Sequence, residues 1–177
     1  LEFRRVLFRS RFVVTTDVMV HGPDFRLAWS TPHDLGWKAA ASNLADVVAM
    51  GDRPTALVVA IAAPSHTSVT FLEGIADGLK DACEELSFGV GVVGGDLSTS
   101  RTLTLSVTAF GDLEGRSPLT RYGAKPGDRI AVAGELGCAA AGIWLLYSQG
   151  VGPVADETPA YDTWPSAELP DEWAAGH

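Results

Sequence analysis

The sequence predicts an α+β fold: a mixed β-sheet with helices packed on it. Three observations carry that prediction. Apolar β-branched runs alternate with segments of helical periodicity. The runs differ in character: "FVVTTD", "TALVVAIA" and "VGVVGGD" read as buried strands, whereas "RTLTLSVTAFG" alternates polar and apolar residues, as a half-exposed antiparallel strand does. A doubly wound parallel sheet would make all of them continuous apolar runs. Finally, 177 residues with 46% apolar content can bury one full core, or one domain and part of another.

Taken in order, residues 11–17 form a strand that ends at a polar stop, and a loop marked by Gly22, Pro23 and Pro32 follows. Asp34 caps a helix that reaches Met50, and Gly51 ends it. A second strand spans 55–62. Thr70 caps a helix over 71–86, in which Cys83 continues the apolar stripe of Leu72, Ile75 and Leu79 and reads as a small core residue. Residues 90–96 make a third strand closed by a double glycine, and 101–111 the alternating fourth. The "KPGD" turn at 125–128 is the clearest internal boundary. A short strand (129–133) and a helix (137–148) then open a second unit. The organisation is therefore an N-terminal domain over 12–124, the start of a second α+β domain over 125–150, and two atypical ends. Residues 1–11 hold four arginines against one glutamate and read as a translated adaptor or cloning remnant; they lack the h-region of a signal peptide. Residues 151–177 hold four prolines and six acids with no Lys or Arg, and read as poorly ordered or irregularly docked.

A net charge of −9 argues against a nucleic-acid or membrane surface, and no run nears 18 apolar residues. The two cysteines fit no zinc motif and point to a reducing cytoplasm. Histidines at 21, 33, 66 and 177 lack metal-ligand spacing. "GVGVVGGD" is not a dinucleotide fingerprint, because no helix start follows its glycines, and a P-loop lysine is absent.

Three carboxylates end or interrupt apolar elements: Asp17 after "FVVTT", Asp96 after "VGVVGG", and Asp46 inside "WKAAASNLADVVAMGDRP". Between Lys38 and Gly51, Asp46 is the one charged side chain, and desolvating a lone carboxylate costs several kcal/mol (roughly 2–7 even for a neutral polar group) unless a cation meets it. Acids at the ends of buried strands tend to converge on one sheet edge, and hard oxygen ligands of that kind suit Mg²⁺ with substrate phosphates. The Gly94–Gly95 pair would let a backbone approach a phosphate closely. The residues alone leave a second reading open: the aspartates are turn and cap residues, with Asp46 on a solvated face among Ala39, Ser42, Asn43, Ala49 and Met50.

The blocks "VVTTDVMVHGPDF", "DLGWKAAASNLADVVAMGDRP", "VVGGDLS" and "LTRYGAKPGDRIAVAGELGCAAAG" together resemble the thiamine-monophosphate kinase family, within the aminoimidazole-ribonucleotide synthetase-like superfamily, over about residues 11–148. The resemblance implies the N-terminal domain of that fold, a homodimer formed through its sheets, and direct ATP-dependent phosphorylation of thiamine monophosphate to thiamine diphosphate. It implies Mg²⁺ held by Asp17, Asp46 and Asp96 with oxygens from Thr15 and Thr16. Gly95, Asp96 and Arg121 would bind ATP, and Asp24 would contact the substrate. No residue would act as acid, base or nucleophile; positioning and charge neutralisation would carry catalysis. There are departures. The family's Gly-Asp-Asp stretch before Phe12 is replaced, "GGDLSTSR" stands for "GGDTTR", Ala45 and Asp52 stand for a usual serine and alanine, and the metal-binding "D-x-S-D-G" segment is missing. The expectation is thus a fragment that is inactive alone. The alternatives are another superfamily ATPase, such as hydrogenase maturation factor E or selenophosphate synthetase, or a non-catalytic nucleotide-binding or dimerisation module.

Overall fold

The computed structural model describes residues 12–148 of the chain. They form four strands and three helices: β1 (Phe12–Val20), α1 (Pro32–Ala49), β2 (Arg53–Ala63), α2 (Val69–Leu86), β3 (Val92–Thr99), β4 (Thr104–Asp112) and α3 (Cys138–Ser148). The sheet order is β1-β4-β2-β3. The β1–β4 and β4–β2 pairs are antiparallel and β2–β3 is parallel, joined through α2. The α+β mixed sheet expected from the strand characters is the sheet observed. No described helix is long and apolar enough to cross a membrane.

Period-two alternation builds one buried face. Leu105, Val107 and Ala109 of β4, Leu57 and Val59 of β2, and Met19 of β1 pack under the helices, against Leu35, Ala39, Ala40, Leu44 and Val47 of α1. Among the described residues the opposite face carries no helix. On it Thr16 meets Thr108 hydroxyl to hydroxyl at 3.0 Å, and Phe12, Val14 and Val18 are exposed.

Helix α1 begins one turn earlier than Asp34 suggests. Thr31 is the N-cap, Pro32 occupies the first turn, and the Asp34 carboxylate accepts a hydrogen bond from the Thr31 amide, completing a capping box. Those Thr31 hydrogen bonds, side chain first and backbone second, hold the Asp34 carboxyl below its ordinary pKa, with His33 charge adding to them against slight burial. Ser68, not Thr70, caps α2. Both differences arise because a cap sits outside the apolar periodicity that marks a helix in sequence.

The α1–α2 crossing is backbone-tight. A methyl on Gly36 would collide with the Ile75 carbonyl oxygen, and one on Gly78 with the His33 carbonyl oxygen. At the far end Gly51 takes a left-handed φ of 79°, and the segment after β4 returns so that the Leu119 amide donates to the Met50 carbonyl at 2.9 Å.

Two expected strand ends are not ends. β1 runs on through Asp17 to Val20, paired with β4 as far as Thr104, and β3 runs through Asp96 to Thr99. Both are edge strands, where polar side chains reach water without breaking the ladder. The strand expected at 129–133 does not form: among the described residues it has no ladder partner, and Ile130 and Val132 are exposed. The expectations for residues 1–11 and 151–177 lie outside the described residues.

Candidate functional site

The lone acid of α1 lies against the first strand. Asp46 is exposed, and its Oδ2 accepts a long hydrogen bond of 3.4 Å from the Thr15 hydroxyl of β1. The apolar surroundings in sequence are therefore an exposed small-residue surface, with Ala45, Val48 and Ala49 open to solvent beside the carboxylate. Asp17 stands two residues further along the same face of β1 as Thr15, exposed, with Oδ1 accepting the adjacent Val18 amide at 2.9 Å. Thr16 does not join them. Strand alternation turns it to the open face, where its hydroxyl donates to the Val107 carbonyl at 3.0 Å.

The loop after β1 folds back toward the N-terminal half of α1. Asp24 is exposed; its Oδ2 accepts the Val20 amide at 2.7 Å and its own amide donates to the Val20 carbonyl at 3.1 Å. Lys38 Nζ donates to the Asp24 carbonyl oxygen at 2.8 Å. Lys38, Ser42 and Asp46 recur every four residues, so they line one face of α1. Arg121 is exposed, two residues beyond Leu119, and thus near the α1 terminus that follows Asp46.

The third carboxylate is elsewhere. Asp17 pairs in register with Val107, Val107 with Val59, and Val59 with Gly95. Asp96 therefore lies on the opposite edge of the sheet, three strand spacings or roughly 14 Å from β1. The expected convergence of Asp17, Asp46 and Asp96 does not occur within one chain, because Asp17 and Asp96 sit mid-strand on opposite edges. Among the described residues no three His, Cys, Asp or Glu side chains gather to hold a metal ion. No described Lys or Arg pairs with any of the three acids either.

The double glycine also divides. A Cβ on Gly95 would strike the Val59 carbonyl of β2, so close packing within the sheet already requires that glycine, whereas Gly94 faces open space. Gly94, Gly95 and Asp96 border a groove of about 630 Å³ between α2 and β3, with Leu79 and Cys83 in its wall. Burial first, and Glu84 second, raise the Cys83 thiol above its ordinary pKa, consistent with a core role. Lys38 was not among the candidate residues drawn from the sequence. Its four-residue spacing from Ser42 and Asp46 is the signal that marks it.

The sequence matches the family of AIR synthase related proteins, N-terminal domain, over residues 5–113, and the chain belongs to that family. Its relatives there include named kinases. The chain is 47% identical over 147 residues to a thiamine-monophosphate kinase of Mycobacterium tuberculosis, covering 83% of this chain and 43% of that protein. It is also 47% identical over 145 residues to the thiamine-monophosphate kinase of Corynebacterium glutamicum, covering 81% and 43%. The solved structure of AaThiL complexed with AMPPCP and TMP superposes with a TM-score of 0.72 at 32% identity, covering 87% of this chain and 47% of that one. The chain thus spans less than half the length of these relatives.

Proposed function

We propose that this chain is the N-terminal part of an ATP-dependent kinase that phosphorylates thiamine monophosphate to thiamine diphosphate. The observation that carries the reading is the meeting of Thr15 and Asp46: a strand hydroxyl and an unpaired, exposed helix carboxylate at the α1–β1 seam. Its likeness to the named kinases supports the choice of substrate.

The donor set fits Mg²⁺ in kind, since Asp17, Asp46, Asp96 and Thr15 offer hard oxygens, carry no nitrogen or sulfur ligand, and meet no described Lys or Arg. Bound there, Mg²⁺ would neutralise charge on the transferring phosphates. Thr16, its hydroxyl turned to the open face, would reach the site only through its backbone. Gly95, Asp96 and Arg121 would flank ATP, with Gly94 giving the phosphates room. Arg121 would offset triphosphate charge, and Asp24 would receive the acceptor substrate. No side chain is needed as a nucleophile for direct transfer, so the residues act by orientation and electrostatics.

One chain offers these groups in two halves, and a homodimer joins them. The open sheet face exposes Phe12, Val14 and Val18, and among the described residues β1 and β3 are unpaired edges. A two-fold copy packed on that face, with its β3 beside β1, would set the strand edge that carries Asp96 of one protomer along the strand edge that carries Asp17 of the other, next to Asp46 of α1. Residues 125–150 open a second domain, since α3 is apolar on every side yet exposed at Ile143 and Trp144. A cytoplasmic location fits an ATP-dependent reaction and two unpaired cysteines.

The test is a coupled assay for ADP on a full-length polypeptide carrying this segment. Turnover dependent on thiamine monophosphate and Mg²⁺ is expected, and the 177-residue chain alone is expected to be inactive. Turnover with a carbamoylated peptide or selenide instead would replace this reading with another superfamily activity.

A further inference from the structure

The loop that carries Asp24 is held twice over, and Lys38 supplies a hold that the loop's own fold does not need. Its backbone is closed by His21 N to Leu103 O at 2.9 Å, Gly22 N to Phe25 O at 2.9 Å, and Asp24 N to Val20 O at 3.1 Å. Lys38 adds a bond from across 14 residues, Nζ to the Asp24 carbonyl at 2.8 Å. An exposed lysine ordinarily leaves its ammonium in water. Here it is folded onto one carbonyl instead, while Ser42 Oγ bonds back to the Lys38 carbonyl at 2.9 Å.

The consequence falls on the Asp24 side chain. Its Oδ2 is committed to the Val20 amide at 2.7 Å. With backbone and Oδ2 both fixed, Oδ1 becomes an acceptor of defined position. A carboxylate oxygen so placed recognises an N–H donor or a delocalised cation. An aminopyrimidine joined to a thiazolium has both.

We infer that Lys38 is a positioning residue that pins Asp24 from helix α1, so that the free carboxylate oxygen meets the amino or cationic group of the acceptor substrate. The inference rests on the kinase reading above. It also explains the Lys38–Asp46 face of α1: the same helix would set the acceptor loop at one end and the phosphate site at the other, and so fix the distance between acceptor and donor.

The experiment uses the full-length polypeptide carrying this segment, with thiamine monophosphate and ATP varied separately. In Lys38→Met, KM for thiamine monophosphate is expected to rise about tenfold, while kcat and KM for ATP stay within about twofold and the Tm is unchanged. Lys38→Arg, which retains a cationic donor, is expected to recover most of the loss. Adding Lys38→Met to Asp24→Ala is expected to cost nothing further, because the residue it positions is gone. An unchanged KM in Lys38→Met overturns the inference, as does a full extra loss in the double variant. A rise in KM for ATP of the same size also overturns it. A wild-type protein that turns over no thiamine monophosphate overturns the kinase reading first, and this inference with it.

Discussion

Gly36→Ala tests how α1 is held against the rest of the fold. In an exposed helix the change is favourable by about 1 kcal/mol, since alanine is the better helix former. Here the new methyl would collide with the Ile75 carbonyl oxygen, and it would also lie 2.8 Å from the Leu79 amide nitrogen. Both obstacles are backbone, so no rotamer change relieves them and the two helix axes must part. Overpacking of this kind costs about 1–3 kcal/mol, and an unyielding backbone places it at the upper end. The net expectation is a loss of about 1–2 kcal/mol, read as a fall of roughly 0.5–1 M in the urea midpoint followed by circular dichroism. Gly78→Ala strikes the His33 carbonyl at the same crossing and is expected to behave alike. Because one separation relieves both collisions, the double variant should lose less than the sum. A Gly36→Ala protein as stable as the wild type, or more so, would refute the close-contact argument. Strict additivity would refute the shared crossing.

Other expectations follow from single groups. Thr31→Ala removes the N-cap and is expected to cost about 1 kcal/mol at pH 7, measured by urea unfolding. Because the folded pKa of Asp34 lies below its unfolded value near 3.8, its contribution is present above that value and is lost as pH falls through the folded pKa. The stability gap between wild type and Asp34→Ala should therefore be widest near neutrality and close in acid; a gap that widens in acid would contradict the cap. Asp52 is buried with neither carboxylate oxygen partnered, so Asp52→Ala, which keeps the Cβ packed near Gly111, is expected to stabilise the fold by about 1–2 kcal/mol. Thermal denaturation checks it. Cys138 is exposed and Cys83 buried, so a thiol reagent such as DTNB should titrate one group quickly in the native protein and the second only on unfolding.

Much of this architecture was legible from residue pattern. "TLSVTAF" declares β4 by alternation, and the runs around Leu57 and Leu79 place β2 and α2, because burial imposes period two or 3.6 on side chains. Thr31 and Ser68 escaped notice because caps act through single hydrogen bonds and leave no periodic trace. The continuation of β1 past Asp17 and of β3 past Asp96 escaped because an edge strand tolerates polar residues that would disqualify a central one. The candidate site was legible residue by residue but not in its assembly. Asp17 and Asp96 look equivalent in sequence, each closing an apolar run, and only the order β1-β4-β2-β3 sets them on opposite edges. That order is decided by pairing between distant segments. The spacing of Lys38 from Ser42 and Asp46 is readable in the sequence, but its bond to the Asp24 carbonyl depends on the 21–30 loop folding back on α1.

The claim on which the rest depends is that each site is shared, with Asp46 from one copy and Asp96 from the other. Mixing two variants tests it directly. Asp46→Asn and Asp96→Asn are each expected to lose Mg·ATP binding by titration calorimetry. In a mixed dimer one site receives both substitutions and the other receives neither. Equimolar mixing with free exchange makes half the dimers mixed, so about a quarter of the wild-type sites should return. Recovery near that fraction is the predicted result. No recovery, in a mixture shown by mass measurement to contain mixed dimers, would contradict the shared site and leave the three aspartates without a common function.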